Sequence, residues 1–387
     1  MRKICVVTGT RADYGIYRPV LRRIVADADL QLRLIACGAH LSPRFGMTVE
    51  GIIADGIPVA ERLATLDDDD SPYGISMAMS RSMAAIAGSF SRERPDLLLV
   101  LGDRYEMFAA VSAAMPFAIP TAHIHGGELT EGLIDEAIRH SITKMSHLHF
   151  ASTDEYARRI IQMGEAPERV FTTGAPGLDN LYEIEFMTRD DLENLIGISL
   201  AQKPLLVTFH PVTLEYKDTE MQVGELCAAL ENLDCPIVIT YPNADTFGTI
   251  VIRAVEAYSA GRKNVAAVKN LGLQTYFSLM RIAAAMVGNS SSGIIEAASF
   301  GLPVVNIGNR QRGRAHGENV IDCASDRASI AAALNSALDT RFRARLNGMT
   351  NPYGDGHSSK RIVDIIKSVS LDAEMMKKRF YNIAVPQ

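Results

Sequence analysis

The sequence predicts an α/β protein built from two doubly wound parallel sheets. Three observations carry that prediction. Short, continuous apolar runs recur along the chain, such as Lys3–Thr8, Pro95–Leu101, Ile119–Ile124 and Leu205–Phe209, as strands buried on both faces require. Each run ends in a turn marked by Gly, Pro or polar residues and is followed by a segment of helical spacing. The alternation breaks once, in the charged helical stretch 178–203, and restarts at Leu205. The expected organisation is therefore a first domain over 1–178, a second over 179–370, and a last helix over 371–387 that returns to the first.

Composition narrows the function. The chain has 387 residues, 47% hydrophobic and 22% charged, enough to bury a sizeable core. A net charge of −6 argues against nucleic acid or an anionic membrane surface as partner. No apolar run approaches the ~18 residues of a membrane span, and the N-terminus lacks a signal-peptide core. The cysteines, Cys5, Cys37, Cys227, Cys235 and Cys323, have no metal-ligand spacing and read as reduced thiols of a cytoplasmic protein.

In order, the first strand Lys3–Thr8 runs into Thr8–Gly15 and a helix over Pro19–Ala28. The turn lacks the glycine fingerprint of dinucleotide binders; Arg11 on it is either an anion ligand or a partner of Asp13. Leu32–Ala36 is the second strand. Asp67–Asp70 is an acidic run that reads as a solvated loop rather than a metal site. Ser76–Arg92 is helical, with Met77, Met79 and Met83 expected in the core. Pro95–Leu101 is a central strand ending in Gly102–Asp103–Arg104–Tyr105–Glu106. Asp103 there is either a helix cap or a site residue, the two roles being compatible.

Ile119–Ile124 leads into His125–Gly126–Gly127–Glu128, a loop to Asp135 and a helix over Glu136–Ser146. Asp103, His125, Glu128 and Asp135 thus follow strand ends in one half of the chain, a pattern suited to acid/base chemistry. His147 and His149 lack a third zinc ligand and read as structural. In the second half, Leu205–Phe209 closes on His210–Pro211, and Pro236–Thr240 on a polar turn over 241–245. The stretch 285–320 reads as strand, polar turn Gly288–Gly293, a helix from Ile294 with Glu296 in its first turn, a strand over Val304–Ile307, and a loop bearing Arg310, Arg312 and Arg314. A Gly/Ser turn before a helix, followed by arginines, suits a phosphate. A plain helix cap beside a solvated basic loop is the alternative. Helices are expected over Asp322–Ser336, Asp339–Leu346, Ser359–Ser370 and Asp372–Tyr381.

Taken together, TGTRADYG (8–15), LGDRYE (101–106), HIHGGE (123–128), DEAIRHSITKMSHLH (135–149), FHP (209–211), PNAD (242–245), GNSSSG (288–293), NRQRGRAHGENV (309–320) and NPYGDG (351–356) resemble the hydrolysing UDP-N-acetylglucosamine 2-epimerases, in their bacterial capsule branch that serves sialic acid synthesis. The resemblance spans nearly the whole chain. It implies a GT-B-like architecture, two Rossmann-like domains with a sugar nucleotide in a central cleft. It assigns Ser290, Ser291, Glu296 and Arg314, with Arg11 and Arg104, to the nucleotide: Glu296 to the ribose, the serines and Arg11 to the diphosphate. His210, Asn243 and Asp245 match sugar-facing positions, and Asp103 and Asp135 match acids at the reacting carbons. Many relatives carry Glu where this chain has His125, so proton transfer falls to His125, Glu128 or Asp135.

The implied reaction converts UDP-N-acetylglucosamine and water to N-acetylmannosamine and UDP, with no cofactor or metal, in a homodimer or homotetramer. Other readings are hydrolysis of a nucleotide-linked diacetamido sugar, a non-hydrolysing epimerase, a GT-B glycosyltransferase, or a nucleotide-sugar sensor.

Overall fold

The computed structural model describes every residue except 68, 70, 131–133, 243–247, 270 and 384–387. The chain divides into two compact units, one of residues 1–182 and 353–387, the other of residues 183–352.

The first unit is a seven-stranded sheet of β1 (Arg2–Thr8), β2 (Leu30–Cys37), β3 (Val59–Leu63), β4 (Leu97–Leu101), β5 (Thr121–Ile124), β6 (Leu148–Ala151) and β7 (Val170–Thr172). The order is β3-β2-β1-β4-β5-β6-β7, and every pairing is parallel. Its central strands are buried on both faces. The order reverses between β1 and β4, which is where doubly wound sheets open a crevice at their carboxyl ends.

The second unit repeats the design with β8 (Leu205–Thr208), β9 (Ile237–Thr240), β10 (Val265–Val268), β11 (Ala285–Gly288), β12 (Val304–Ile307) and β13 (Val320–Cys323). Its order is β10-β9-β8-β11-β12-β13, again wholly parallel, with the reversal between β8 and β11.

Several boundaries differ from expectation. The first helix spans Arg11–Ala26 and contains Pro19. Thr10 and Asp13 form a capping box that starts it early. Pro19 cannot donate to the Gly15 carbonyl four residues back, and Asn180 Nδ2 donates to that carbonyl instead at 3.0 Å. The helix expected from Ile294 begins at Ser291, because Ser290 caps it, and Glu296 stands at its end rather than in its first turn. The helix expected over Asp322–Ser336 gives up Asp322 and Cys323 to the edge strand β13 and forms over Arg327–Leu338.

Met83 is 43% exposed, not core. The buried stripe of its helix Pro72–Arg92 runs through Ala78, Ser82, Ile86 and Phe90, one turn apart. The return to the first unit also comes earlier than residue 371. Ile362, Val363 and Ile366 of the helix Ser358–Ser368 pack in one cluster with Ile4, Val6 and Leu21. Of the last helix only Ala373–Met376 forms.

Candidate active site

In the first unit the site is built on the carboxyl ends of β1, β4 and β5. Asp13 uses its carboxylate to accept the backbone N–H groups of Gly9 (2.9 Å) and Thr10 (2.8 Å). Arg11, the first residue of the helix, stands exposed beside that turn. Arg104 donates twice to Glu106, at 3.0 and 2.9 Å. Glu106 is fully buried, and the turns around it leave no room for side chains. A Cβ on Gly9 or Gly38 would lie 3.0 or 2.7 Å from its carboxyl group. Glu106 therefore fixes the guanidinium of Arg104 in a bidentate pair.

Asp103 is bound by Arg139, whose side chain is almost wholly buried. The same guanidinium donates to the Glu128 carbonyl at 2.9 Å and to Glu136 at 3.1 Å. One arginine thus ties the end of β4, the turn after β5 and the helix Ile134–Met145. Asp135 lies in the first turn of that helix, not in the loop before it. Burial pushes its carboxyl up, against a smaller opposing pull from Arg104.

His125 is held in the left-handed region, with φ at 64°, a conformation that is costly for a non-glycine residue. Its Nδ1 meets Glu128 Oε1 at 2.5 Å, and Ser152 donates to the same oxygen at 2.9 Å. Its Nε2 is buried and has no hydrogen-bond partner among the described residues. A His whose far nitrogen is fixed by a carboxylate, with the near one unspent, is equipped to accept a proton. The two glycines between them are sterically required. A Cβ on Gly126 would sit 2.9 Å from His123 Nδ1, and one on Gly127, where φ is +77°, 2.5 Å from the Tyr156 carbonyl oxygen. Behind them His123 bonds the Gly102 carbonyl at 2.8 Å, and burial holds its pKa down at about 3.

In the second unit the corresponding place is the end of β8 and β11. Gly288 has φ +133°, and a Cβ there would lie 1.9 Å from the Thr208 carbonyl oxygen. Asn289 is buried and clamps His210: its Oδ1 accepts the His210 N–H at 2.7 Å, and its Nδ2 donates to the His210 carbonyl at 2.8 Å. Its own carbonyl accepts from Arg310 and Gln311, each at 2.9 Å. Ser290 caps the short helix Ser291–Ile295 by accepting the Ser292 N–H at 3.3 Å. Burial pushes the Tyr276 phenol up to about 12, against smaller opposing pulls from Ser292, Thr208 and Ser290.

The structure thus gathers Asp103, Arg104, His125, Glu128 and Asp135 in one unit, and His210, Ser290 and Ser291 in the other. Arg314 lies farther along, in a cavity of 560 Å³ with Arg312, His316 and Asp322. Asn243 and Asp245 lie outside the described residues. Reasoning from sequence did not single out Glu106, Arg139, Ser152, Tyr276 or Asn289 as site residues; a glycine-flanked turn next to a polar residue was the available hint for the last. Among the described residues there is no cluster of His, Cys, Asp and Glu able to hold a metal ion and no helix long and apolar enough to cross a membrane.

Comparison with known proteins places this arrangement. The profile of the UDP-N-acetylglucosamine 2-epimerase family matches residues 22–367. A GDP/UDP-N,N'-diacetylbacillosamine 2-epimerase (hydrolyzing) of Campylobacter jejuni is 38% identical over 385 residues, 99% of each chain. A UDP-N,N'-diacetylbacillosamine 2-epimerase (hydrolyzing) of Legionella pneumophila is 36% identical over 378 residues, covering 98% of this chain and 99% of the other. The polysialic acid biosynthesis protein P7 of Escherichia coli is 35% identical over 385 residues, 99% and 98%. The crystal structure of a Neisseria meningitidis UDP-GlcNAc 2-epimerase, solved with UDP-GlcNAc, superposes with a TM-score of 0.82 at 20% identity, covering 95% of this chain and all of the other. The GT-B-like fold expected from the sequence is therefore the fold of this chain.

Proposed function

We propose, from the premise that this chain belongs to the UDP-N-acetylglucosamine 2-epimerase family, that it is a hydrolysing 2-epimerase of a nucleotide-linked diacetamido sugar of the N,N'-diacetylbacillosamine type. Sequence reasoning put UDP-N-acetylglucosamine first. Identities of 38% and 36% to two enzymes named for the diacetamido substrate move the preference. The second reading, hydrolysis of UDP-N-acetylglucosamine for sialic acid synthesis, is favoured by the 35% identity to the polysialic acid protein.

The observation that supports the reaction type is the buried His125–Glu128 pair with its unspent Nε2. In the proposed first step His125 Nε2 takes the proton from sugar carbon 2. The carbon 1–oxygen bond breaks, its electron pair leaves on the nucleoside diphosphate, and a double bond forms between carbons 1 and 2. Glu128 stabilises the imidazolium this creates. Asp103, paired with Arg139, faces the positive charge that develops at carbon 1. In the second step a proton returns to carbon 2 from the other face while water adds at carbon 1 and gives up a proton to the enzyme. Asp135, whose carboxyl burial favours the protonated form, is assigned as the donor. Arg11, Arg104, Ser290 and Ser291 receive the departing diphosphate, Glu296 the ribose, and Arg314 a further part of the nucleotide. His210, Asn243 and Asp245 are assigned to the sugar.

The test is an NMR time course of the enzyme with UDP- and GDP-N,N'-diacetylbacillosamine and with UDP-N-acetylglucosamine. Free 2-epimerised diacetamido sugar, formed faster than N-acetylmannosamine, is expected. In deuterium oxide carbon 2 of the product should carry deuterium, and in oxygen-18 water the label should enter the sugar at carbon 1. Label in the nucleotide phosphate would sink the elimination, since it would mean attack at phosphorus. Faster release of N-acetylmannosamine would select the second reading.

A further inference from the structure

The first unit contains a cavity of 210 Å³ that the proposed reaction does not use. That is well above the ~10–15 Å³ one water needs. It lies where β6 begins, between the turn 165–169 and the C-terminal segment 374–379. His125 follows the carboxyl end of β5, whereas His147 precedes the amino end of β6, and the two strands are parallel. The cavity is therefore at the opposite edge of the sheet from the acid/base turn.

Its lining has a distinct chemistry. His147 is only 9% exposed. Its Nδ1 accepts the Thr121 N–H at 3.2 Å, so the ring hydrogen sits on Nε2, which has no acceptor among the described residues; the side chain lines the cavity. Arg169 uses two of its five N–H donors on the Met375 and Glu374 carbonyls, at 2.7 and 2.8 Å, and has others to spare. Lys377 and Arg379 complete the wall. The carboxylates present are mostly committed. Glu165 binds Lys144 (2.6 Å), His149 (3.0 Å) and Lys378 (2.6 Å), and Glu374 binds Lys377 at 2.5 Å. Glu168 is the third carboxylate. Donors around a cavity, one of them the ring N–H of a largely buried histidine with no acceptor among the described residues, call for a ligand that brings acceptors.

We propose that this cavity binds a phosphate-sized tetrahedral oxyanion, with His147 Nε2, Arg169, Lys377 and Arg379 as donors. The bound anion joins β6 and the turn 165–169 to the C-terminal segment. That segment already plugs the end of the helix Ile134–Met145, since Lys378 donates to the carbonyls of Thr143 and Ser146. The other end of the same helix carries Asp135 and Arg139. Occupancy therefore stabilises the helix that positions the acid/base groups, and by mass action it stabilises the folded chain.

The experiment titrates inorganic phosphate into the full-length protein saturated with UDP, so that the nucleotide seat is filled. Ionic strength is held constant with chloride. Calorimetry should show about one phosphate per chain, and the melting temperature should rise and saturate. Arg379→Glu, a change at an exposed side chain, should weaken phosphate about tenfold or more, the loss of one charge-assisted hydrogen bond, and His147→Gln should do likewise. Sulfate should replace phosphate, and acetate should not. Glucose 6-phosphate binding tighter than phosphate would assign the site to phosphomonoesters, and equal or weaker binding to the free ion. The proposal is overturned by no saturable binding, by equal stabilisation with acetate, or by unchanged affinity in both variants.

Discussion

The turns after β5 and after β11 stand at the same kind of place, the carboxyl end of a central parallel strand, yet they are made from opposite materials. Residues 125–128 bury two ionisable groups against each other, and His125 is held there in a strained backbone conformation. Residues 288–292 carry no ionisable side chain at all. They offer hydroxyls, backbone N–H groups and an asparagine that ties His210 to the strand beside it. Both rely on glycines that meet a carbonyl oxygen or a ring where any Cβ would be. The difference teaches how one architecture separates tasks. A group that must change its charge needs partners that tune that charge, whereas a group that receives a fixed anion needs only donors held still.

That contrast can be broken by substitution. His125→Ala and Glu128→Gln should each lower turnover by ~10²–10⁴-fold, as loss of an acid/base group does, and the double variant should be no worse than the worse single one. Either single variant keeping more than about a tenth of the activity would take the pair out of the chemistry. Arg139→Met should cost ~3–5 kcal/mol of stability, because Asp103 loses its ion partner and the Glu128 carbonyl and Glu136 each lose a buried donor. A urea midpoint equal to that of the unaltered protein would contradict this. Asn289→Ala should lower kcat about 10–100-fold, the equivalent of two lost buried hydrogen bonds, while UDP affinity changes little. Equal losses in both quantities would mean that the clamp serves the diphosphate rather than His210.

Two gentler tests sharpen the same contrast. With Asp135 as proton donor, turnover should fall as pH rises through its burial-raised value, and the Asp135→Asn enzyme should lose that limb. UDP binding should not share it, because Ser290 and Ser291 do not titrate. A pH profile of UDP affinity that tracked turnover would show that the two turns are electrostatically coupled. Smallest of all, Ser290→Ala should weaken UDP by ~1 kcal/mol as a cap and donor are lost, and Arg11→Ala by ~1–3 kcal/mol, both read by calorimetry.

The strands and their alternation with helices were legible because burial on both faces leaves unbroken apolar runs. The exception proves the physics: β13 is an edge strand, partly exposed, with the weak pattern Val320-Ile321-Asp322-Cys323, and its second half read as the start of a helix. The ionisable residues of the first unit were legible from their place after strand ends. Their partners were not. Arg139 meets Asp103 across 36 residues, Asn289 meets His210 across 79, and Ser152 meets Glu128 across 24. No local spacing encodes such meetings. Glu106 was quoted in its turn but read as nothing more, since only the packed turns at Gly9 and Gly38 reveal why it is buried.

The return of residues 353–387 to the first unit sets an order of events during synthesis. The second unit is a single uninterrupted segment, 183–352, and has all its strands once Cys323 has been made. The first unit is older on the ribosome but unfinished, because the cluster around Ile4 and Val6 still lacks Ile362, Val363, Ile366 and Met375. Domains that emerge early ordinarily fold early. Here the early one must wait with an apolar face uncovered until Ile362, Val363, Ile366 and Met375 have been made. A nascent chain halted after residue 352 should therefore hold a folded second unit and a first unit open to protease, and release of the remaining residues should close it.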